Sequence, residues 1–312
     1  MSSRVCVIVN PASGRGRGAR AGAEVRRAFA SVEVTDIRTT SAKGDEKTVA
    51  LRAIEEGADT IVAVGGDGTW GNVANAIISS GADVRLALIA AGTGNDFAKT
   101  LGAPARDAAA TARLVSDGAE RRVDVGKIEG RYFLNVTGFG FDIAVLEDID
   151  NIRWLKGDAV YLYSALRQLF GYDGIDIDIA SAARSRGSMR HLMLIIANGK
   201  NFGGSFRIAP AASVSDGRLD AIAIAMAAPL RRARLFGAAT KGTHVTHTEV
   251  VTEQAPSFTL HFPTPPAYET DGEYNRASAA RLEVSCVPGA LRVVAPPEAQ
   301  ASVQSRERHA AV

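Results

Sequence analysis

Cysteine is scarce in this chain of 312 residues, which contains only Cys6 and Cys286. Both lie on predicted strands, near opposite ends of the sequence, so they do not form the dense pattern of a disulfide scaffold. We therefore expect a reduced, cytoplasmic protein.

Long apolar runs and an excess of one charge are also missing. A helix that crosses a bilayer needs about 20 apolar residues, and residues 1–4 lead directly into a strand-like segment rather than a signal peptide. Any membrane contact is therefore expected to be peripheral. The 36 basic and 34 acidic side chains leave a net charge of +2, which gives no reason to expect a nucleic-acid partner.

The Gly-x-x-x-x-Gly-Lys-Ser/Thr signature of P-loop NTPases is absent as well. Three other motifs resemble binding sites but are interpreted as ordinary structural features. The relaxed dinucleotide fingerprint at residues 16–21 stands too far beyond the first strand to form the tight turn it requires. His244 and His247 lack the companions of a metal site, and the basic stretch at residues 231–236 is interpreted as a solvated helix face rather than a membrane contact.

What the chain does contain is a strand, a glycine turn and a helix at residues 60–80. A buried strand is predicted before Gly65-Gly66-Asp67-Gly68-Thr69, and apolar residues then recur with helical spacing. A helix amino terminus offers unpaired N–H groups to a phosphate, and glycine lets the backbone approach it. A carboxylate beside phosphates calls for a cation, so Asp67 is interpreted as a ligand of magnesium or of a water network.

Two further loops share this design. One follows the strand-like residues 5–9 and contains Asn10, Ser13 and Gly14, and the other spans residues 91–97. In open α/β sheets ligands bind at the carboxyl ends of the strands, so the three loops are expected to line one pocket.

The composition changes near residue 122. Strands and helices alternate before it, as in a doubly wound parallel sheet, whereas short strands separated by turns dominate after it, as in an antiparallel β-sandwich. The predicted organisation is an α/β domain at residues 1–122, a β-sandwich domain at 123–295 and a flexible polar tail at 296–312.

The order of these motifs resembles that of the diacylglycerol kinase catalytic-domain family, bacterial lipid kinases with sphingosine kinases among their relatives. The resemblance covers nearly the whole chain. It rests on Asn10-Pro-x-Ser-Gly14, Gly65-Gly-Asp-Gly-Thr69, Gly92-Thr-Gly-Asn-Asp-Phe97, Asn198 with Phe202-Gly-Gly204, Arg207-Ile-Ala-Pro210, Asp216-Gly217 and Asp271-Gly-Glu273. NAD kinases and phosphofructokinases share something like the central motif, but are not expected to carry the third or the last.

The resemblance implies an ATP- and magnesium-dependent lipid kinase, with a nucleotide-binding domain at residues 1–122 and a lipid-acceptor domain at 123–295. It also implies the roles of particular residues. Glu273 matches the proton acceptor, with Asp271 beside it and Asp67 in the turn. Asp271 could hold Glu273 through magnesium or repel it, and the sequence leaves both roles open. Asp216 matches the side-chain ligand of a structural Mg²⁺, with the carbonyls of Ser213 and Arg218. The glycine loops and the resemblance together predict that ATP binds Asn10, Ser13, Gly14, Thr40, Gly65, Gly66, Asp67, Gly68, Thr69, Gly71, Gly92, Thr93 and Asn95.

One departure from the family pattern follows Thr69. The family usually has a branched apolar residue and then Asn-Glu, where this chain has Trp70, Gly71 and Asn72. The acidic residue is therefore missing, and Glu253 and Asp96 are candidates to replace it.

The function predicted from these features is phosphorylation of a lipid hydroxyl, diacylglycerol to phosphatidate in particular, within phospholipid biosynthesis. The predicted partners are ATP, the lipid and a membrane surface, with Arg15 and Arg17 contacting phosphate or an anionic headgroup, and an exposed sheet edge would favour a homodimer. The alternatives are a kinase of another lipid or of a soluble acceptor such as NAD, and a nucleotide-binding regulator without activity.

Overall fold

The computed structural model describes residues 4–42, 44–104, 106–151 and 158–296. Residues 297–312 of the predicted tail lie outside this range. The chain divides into two compact units, one formed by residues 1–125 together with 288–312 and the other by residues 126–287.

The first unit is built of alternating strands and helices around a parallel sheet. Its elements are β1 (Val5–Val9), α1 (Ser13–Ala30), β2 (Asp36–Thr39), α2 (Asp45–Glu55), β3 (Thr60–Gly65), α3 (Asp67–Ser80), β4 (Arg85–Ala90), α4 (Asp96–Leu101), α5 (Ala108–Ser116) and the start of β5 (Arg121–Ile128). The strand order is β4-β3-β1-β2, with all neighbours parallel. This arrangement brings the carboxyl ends of β1, β3 and β4 to one edge of the sheet.

The central strand β3 is buried along its whole length, as its β-branched composition predicts. Val62 and Val64 pack in one core cluster with Phe29 of α1 and Ala112 of α5. The opposite face is covered too, since the indole of Trp70 in α3 donates to the carbonyl of Ala63 over 3.1 Å. Helices thus lie on both faces of the sheet.

Residues 32–39 read as one strand-like segment in the sequence, but only part of it is a strand. The backbone N–H groups of Val32 and Val34 both donate to the carbonyl of Phe29, and Glu33 between them has a φ of 62°. These residues therefore form the turn that ends α1, and only Asp36–Thr39 pair in the sheet.

The second unit is mainly antiparallel. Its elements are β6 (Arg131–Phe133), β7 (Val136–Gly140), α6 (Phe141–Asn151), α7 (Asp158–Gly171), β8 (Ile175–Ala180), β9 (Ser185–Ala197), β10 (Leu219–Ala225), α8 (Pro229–Lys241), a 3₁₀ turn (His244–Thr246), β11 (Val250–Ala255), β12 (Ser257–His261), β13 (Ala267–Thr270), β14 (Glu273–Arg276) and β15 (Arg281–Val293). The long strand β9 pairs with β7, β8 and β10. The end of β15 belongs to the first unit, where Arg292 lies beside Arg85 of β4.

Side chains of β9 alternate between two cores. Leu194 and Ile196 enter one cluster, while Met193 and Ile195 enter another that packs against Leu235 of α8. This is the arrangement expected of an antiparallel sheet that is covered on both faces.

Two residues from the motifs discussed above, His244 and Arg232, are buried in the second unit. His244 is fully buried and its Nε2 lies 2.9 Å from the carbonyl oxygen of Ile208, so it is a core histidine. Arg232, interpreted as part of a solvated face, is buried instead and donates to the carbonyl of Leu169 at the end of α7 over 3.0 Å. Over the described ranges, none of the helices is both long and apolar enough to span a membrane.

Candidate active site

The loops after β1, β3 and β4 touch one another through their backbones. A Cβ placed on Gly92 would lie 2.5 Å from the Cα of Gly66, and one placed on Gly14 would lie 1.9 Å from the carbonyl oxygen of Ala91. Gly14 also has a φ of 56°, in the left-handed region. Only glycine fits at these contacts, because any Cβ would push the loops apart.

A side chain joins the first of these loops to the third. The guanidinium of Arg17 donates to the carbonyl of Gly14 over 3.1 Å and to the hydroxyl of Thr93 over 2.9 Å. Arg15, the other arginine expected near phosphate, is exposed and has a φ of 60°. The helical geometry of α1 is interrupted from Gly14 to Gly16.

Asp67 links the central turn to the start of α4. Its Oδ1 accepts from the backbone N–H groups of Asp96 (2.7 Å) and Phe97 (3.2 Å). Burial, with a smaller contribution from the charge of Asp96, raises the pKa of the Asp67 carboxyl to about 6. Both carboxylates lie next to Gly94, where a Cβ would be 3.1 Å from Asp67 Oδ2 and 3.3 Å from Asp96 Oδ2. Two carboxylates beside one glycine offer oxygen ligands of the type that a divalent cation takes.

Asn10, Thr69 and Asn72 meet around one buried carboxylate, that of Glu46 in the first turn of α2. Glu46 Oε1 accepts from Asn10 Nδ2 over 2.7 Å and from the Thr69 hydroxyl over 3.4 Å. Its Oε2 lies 3.4 Å from Asn72 Nδ2, which donates to it. Glu46 was not predicted as a site residue, because an acidic residue in a first helical turn is common and its burial depends on how α2 packs.

The other predicted ATP-binding residues also lie in the first unit. Thr40 is buried, and its N–H donates to the carbonyl of Val9 over 3.0 Å. Asn95 has a φ of 54°, and its Nδ2 donates to the carbonyl of Gly92 over 2.9 Å. Ser13 begins α1, while Gly68 and Gly71 lie in the first turns of α3. All of them belong to the three loops or to the helix starts that follow these loops, except Thr40, which follows β2.

The predicted proton acceptor lies in the second unit, on a tightly held turn. Both oxygens of Asp271 accept from the backbone, Oδ2 from the N–H of Leu134 (2.6 Å) and Oδ1 from those of Asn135 and Val136 (2.8 and 3.1 Å). This turn precedes Glu273, the half-buried first residue of β14. Through these contacts the Asp271 side chain ties the turn to the segment between β6 and β7.

Two more acidic residues surround this turn and were not found from the sequence. Glu269 is 1% exposed and its Oε2 accepts from the N–H of Gly272 over 2.5 Å. Burial raises the pKa of the Asp142 carboxyl to about 7. A Cβ on Gly138 would lie 2.2 Å from Asp142 Oδ2 and 3.0 Å from Glu269 Oε1, so both carboxylates lie against the same glycine.

The predicted magnesium ligands lie on the segment before β10. Asp216 Oδ1 accepts from the N–H of Arg218 over 3.0 Å and Oδ2 from Gln254 over 2.9 Å. Burial raises the pKa of the nearby Asp220 carboxyl to about 6, with a further contribution from the charge of Asp216. Two neighbouring carboxylates and the carbonyls of Ser213 and Arg218 are oxygen donors of the type that magnesium takes. Within the described ranges no cluster of three or more His, Cys, Asp or Glu side chains meets the geometry of a metal site.

The candidates to replace the missing acidic residue lie elsewhere. Glu253 is in the second unit, where it accepts from Ser181 and pairs with Arg186 at 3.0 Å. Asp96 pairs with Lys99 at 2.9 Å. The carboxylate that contacts Asn72 is that of Glu46.

Two family models match this chain and together cover most of it. The diacylglycerol kinase catalytic domain matches residues 4–128, and the YegS C-terminal NAD kinase beta sandwich-like domain matches residues 135–295.

Individual proteins agree with these matches. A "Diacylglycerol kinase" of Mycobacterium tuberculosis is 31% identical over 301 residues, which cover 94% of this chain and 95% of the relative. A Pseudomonas aeruginosa protein named "Probable lipid kinase YegS-like" is 32% identical over 261 residues, covering 83% and 84% of the two chains. The crystal structure of a diacylglycerol kinase from Bacillus anthracis superposes with a TM-score of 0.72 at 20% identity, covering 95% of this chain and 97% of that one. The predicted fold class, an α/β domain followed by a β-sandwich, is confirmed.

Proposed function

We propose that this chain, which belongs to the diacylglycerol kinase family and is a kinase, transfers the γ-phosphoryl group of ATP to a lipid hydroxyl, with diacylglycerol as acceptor and phosphatidate as product. The observation that carries the proposal is the backbone contact among the loops after β1, β3 and β4. These loops present N–H groups at the amino terminus of α3, where the helix dipole favours an anion.

The first unit would bind the nucleotide. Phosphates would lie against Gly14, Gly66 and Thr93, with Arg17 holding the first and third loops together. Asn10 and Thr69 would contact the nucleotide from the rim of the same loops. Phosphoryl transfer depends on positioning and charge stabilisation more than on covalent chemistry, so a preformed arrangement of this kind is what the reaction needs.

The second unit would supply the base. Glu273 would take the proton of the lipid hydroxyl, whose oxygen attacks the γ-phosphorus. The bond from that phosphorus to the β–γ bridging oxygen breaks, and ADP leaves with the electron pair. Asp271 would hold the turn in place through its three backbone donors.

Magnesium would enter at two places. Bound with ATP, it neutralises charge on the phosphate oxygens, and Asp67 and Asp96 offer carboxylate oxygens side by side. A second, structural ion would be held by Asp216 with the carbonyls of Ser213 and Arg218, because a cation there would offset the repulsion between Asp216 and Asp220.

The lipid acceptor would be reached at a bilayer. Tyr163, Leu166 and Phe170 form an apolar face of α7 and are 41, 50 and 66% exposed. Leu230, at the start of α8, is 82% exposed, and exposed arginines 231 and 234 follow it on the same helix. Exposed apolar side chains, with basic ones next to Leu230 on α8, suit an anionic lipid surface. We therefore propose that the α7 face docks on the membrane that holds the acceptor.

The test is an acceptor comparison with radiolabelled ATP. Purified protein is incubated with magnesium and vesicles of diacylglycerol, a sphingoid base or a long-chain prenol, or with NAD in solution. Label in phosphatidate supports the proposal. Label transferred only to another lipid or to NAD would make that molecule the acceptor in place of diacylglycerol. ATP binding without transfer to any of them would favour the remaining alternative, a nucleotide-binding regulator, for which Gly71 and Asn72 are the motivating departure.

A further inference from the structure

We infer that Glu46 is a positioning residue for the nucleotide loops and supplies the carboxylate that this chain lacks at position 72. The inference rests on the proposed function, because it concerns residues assigned above to ATP binding.

The contacts of Glu46 place it at the junction of three segments. Asn10 follows β1, Thr69 lies in the first turn of α3, and Asn72 lies one turn further along α3. The Asn10 amide reaches both Glu46 Oε1 (2.7 Å) and Thr69 Oγ1 (3.0 Å). Glu46 thus connects the loop after β1 with the loop after β3.

The chemistry of these partners requires an acceptor at position 46. The amide nitrogens of Asn10 and Asn72 and the hydroxyl of Thr69 all donate toward the Glu46 side chain. A carboxylate is an acceptor only and has room for several donors. Glu46 is 2% exposed, and a carboxylate so buried is retained where hydrogen bonds compensate its charge. Its place in the first turn of α2 adds the favourable end of the helix dipole.

Asn72 is complementary to this arrangement. Its amide donates to Glu46, whereas a glutamate at position 72 would set two buried carboxylates against each other. Positions 46 and 72 therefore work as a pair in which one residue carries the negative charge and the other donates a hydrogen bond to it. In this chain the charge is on α2 rather than on α3.

The Asn10 side chain is held from both ends. Its Oδ1 accepts from the N–H of Ala12 over 3.0 Å, while its Nδ2 bonds Glu46 and Thr69. Without Glu46 the amide loses its charged acceptor and regains rotational freedom. The expected effect is on nucleotide binding, not on the lipid acceptor.

The experiment compares Glu46→Gln, Glu46→Ala and the double variant Glu46→Ala/Asn72→Glu with the wild-type protein. Glu55→Gln is the matched control, since Glu55 is an exposed glutamate on the same helix. Equilibrium binding of ATP, the KM values for ATP and diacylglycerol, kcat and the thermal unfolding midpoint are measured for each.

We expect Glu46→Gln and Glu46→Ala to weaken ATP binding and raise the KM for ATP by about ten- to one-hundredfold, the range for hydrogen bonds to a charged group. The KM for diacylglycerol should stay within about twofold, a split that general loss of structure would not produce. The double variant should recover most of the ATP affinity, because its carboxylate returns to the same cluster from α3.

Two results would overturn the inference. One is unchanged ATP affinity in folded Glu46→Gln and Glu46→Ala. The other is a double variant that binds ATP no better than Glu46→Ala although its unfolding midpoint matches that of the wild type. A wild-type protein that binds no ATP would instead overturn the proposed function, and the inference with it.

Discussion

The Oδ1 atom of Asp67 lies 2.7 Å from the backbone nitrogen of Asp96, so the turn after β3 and the start of α4 share a hydrogen bond across 29 positions of sequence. This contact makes Asp67 part of the scaffold of the glycine loops as well as a candidate ligand. The consequence of this contact for stability can be measured.

Asp67 should make the stability of the protein depend on pH in a predictable direction. Its pKa in the folded state is about 6, against an ordinary value of 3.8, so folding favours the protonated form. Its contribution is full below about pH 4 and is lost as the pH rises through about 6. Asp67→Asn keeps an acceptor for both backbone donors and removes this titration.

Between about pH 4 and about pH 7, the free energy of unfolding of the wild type should therefore fall relative to Asp67→Asn by about 2 kcal/mol. Urea unfolding of both proteins in a chelator, without nucleotide, measures this difference. A constant difference across the range would contradict the assigned pKa.

Gly14→Ala should damage the first loop. The new methyl group would lie 1.9 Å from the carbonyl oxygen of Ala91 in a left-handed conformation, which costs about 1–3 kcal/mol for a residue other than glycine. We expect weaker ATP binding and a lower unfolding midpoint. Gly22→Ala is the control, since Gly22 lies within α1 and a Cβ there meets no atom within 4 Å. If both variants bind ATP equally well, the loop contact is not needed for binding.

Glu273→Gln should abolish phosphoryl transfer while ATP still binds. The amide keeps the size of the side chain but cannot accept the proton of the attacking hydroxyl. A loss of about 10²-fold or more in kcat is expected for a general base, with little change in the Kd for ATP. Glu283→Gln, an exposed glutamate on β15, serves as the control. Full activity in Glu273→Gln would remove this residue from the mechanism.

Magnesium should raise the unfolding midpoint of the wild type in the absence of ATP. A ligand that binds only the folded state raises the free energy of unfolding by about 2.7 kcal/mol when its concentration is one hundred times its Kd. Asp216→Ala should lose this shift, whereas Asp176→Ala, which removes an exposed aspartate paired with Arg190, should keep it. Equal shifts in all three proteins would place the ion elsewhere.

The proposed docking of the α7 face can be tested by comparing activity on diacylglycerol in vesicles with activity on a monomeric diacylglycerol. The double variant Leu166→Ser/Phe170→Ser should lose activity on diacylglycerol in anionic vesicles, because apolar area leaves the bilayer contact. It should keep its activity on a short-chain, monomeric diacylglycerol. Met189→Ser, which changes an exposed residue of β9 (48%), is the control. An equal loss on both substrates would indicate damage to the site rather than to docking.

The loops were predictable because their signals are local. A strand, a glycine turn and a helix start follow one another at Gly65 and Gly66, and the rule for parallel sheets places such turns at one edge. The contact between Gly66 and Gly92, which follow different strands, could be expected from that order of elements.

The acidic residues around the loops were harder to assign. Glu46 and Glu269 are buried by packing between segments far apart in sequence, which composition does not reveal. Asp271 and Glu273 stand two positions apart in one motif, yet the first binds three backbone N–H groups and the second begins a strand. Local pattern identified the motif, but only tertiary contacts separate the two roles.

The return of β15 to the first unit makes that unit discontinuous in sequence. Arg292 follows Asp83 by 209 positions, yet its guanidinium donates to the carboxylate of Asp83 over 2.7 Å, and Val294 bonds Leu86 of β4. On the ribosome, β4 is made long before its partner strand, whereas residues 126–287 are complete earlier. Domains fold largely as they emerge, so the unit that starts first would be the last to close its sheet, with the edge of β4 exposed to chaperones or to other chains until then.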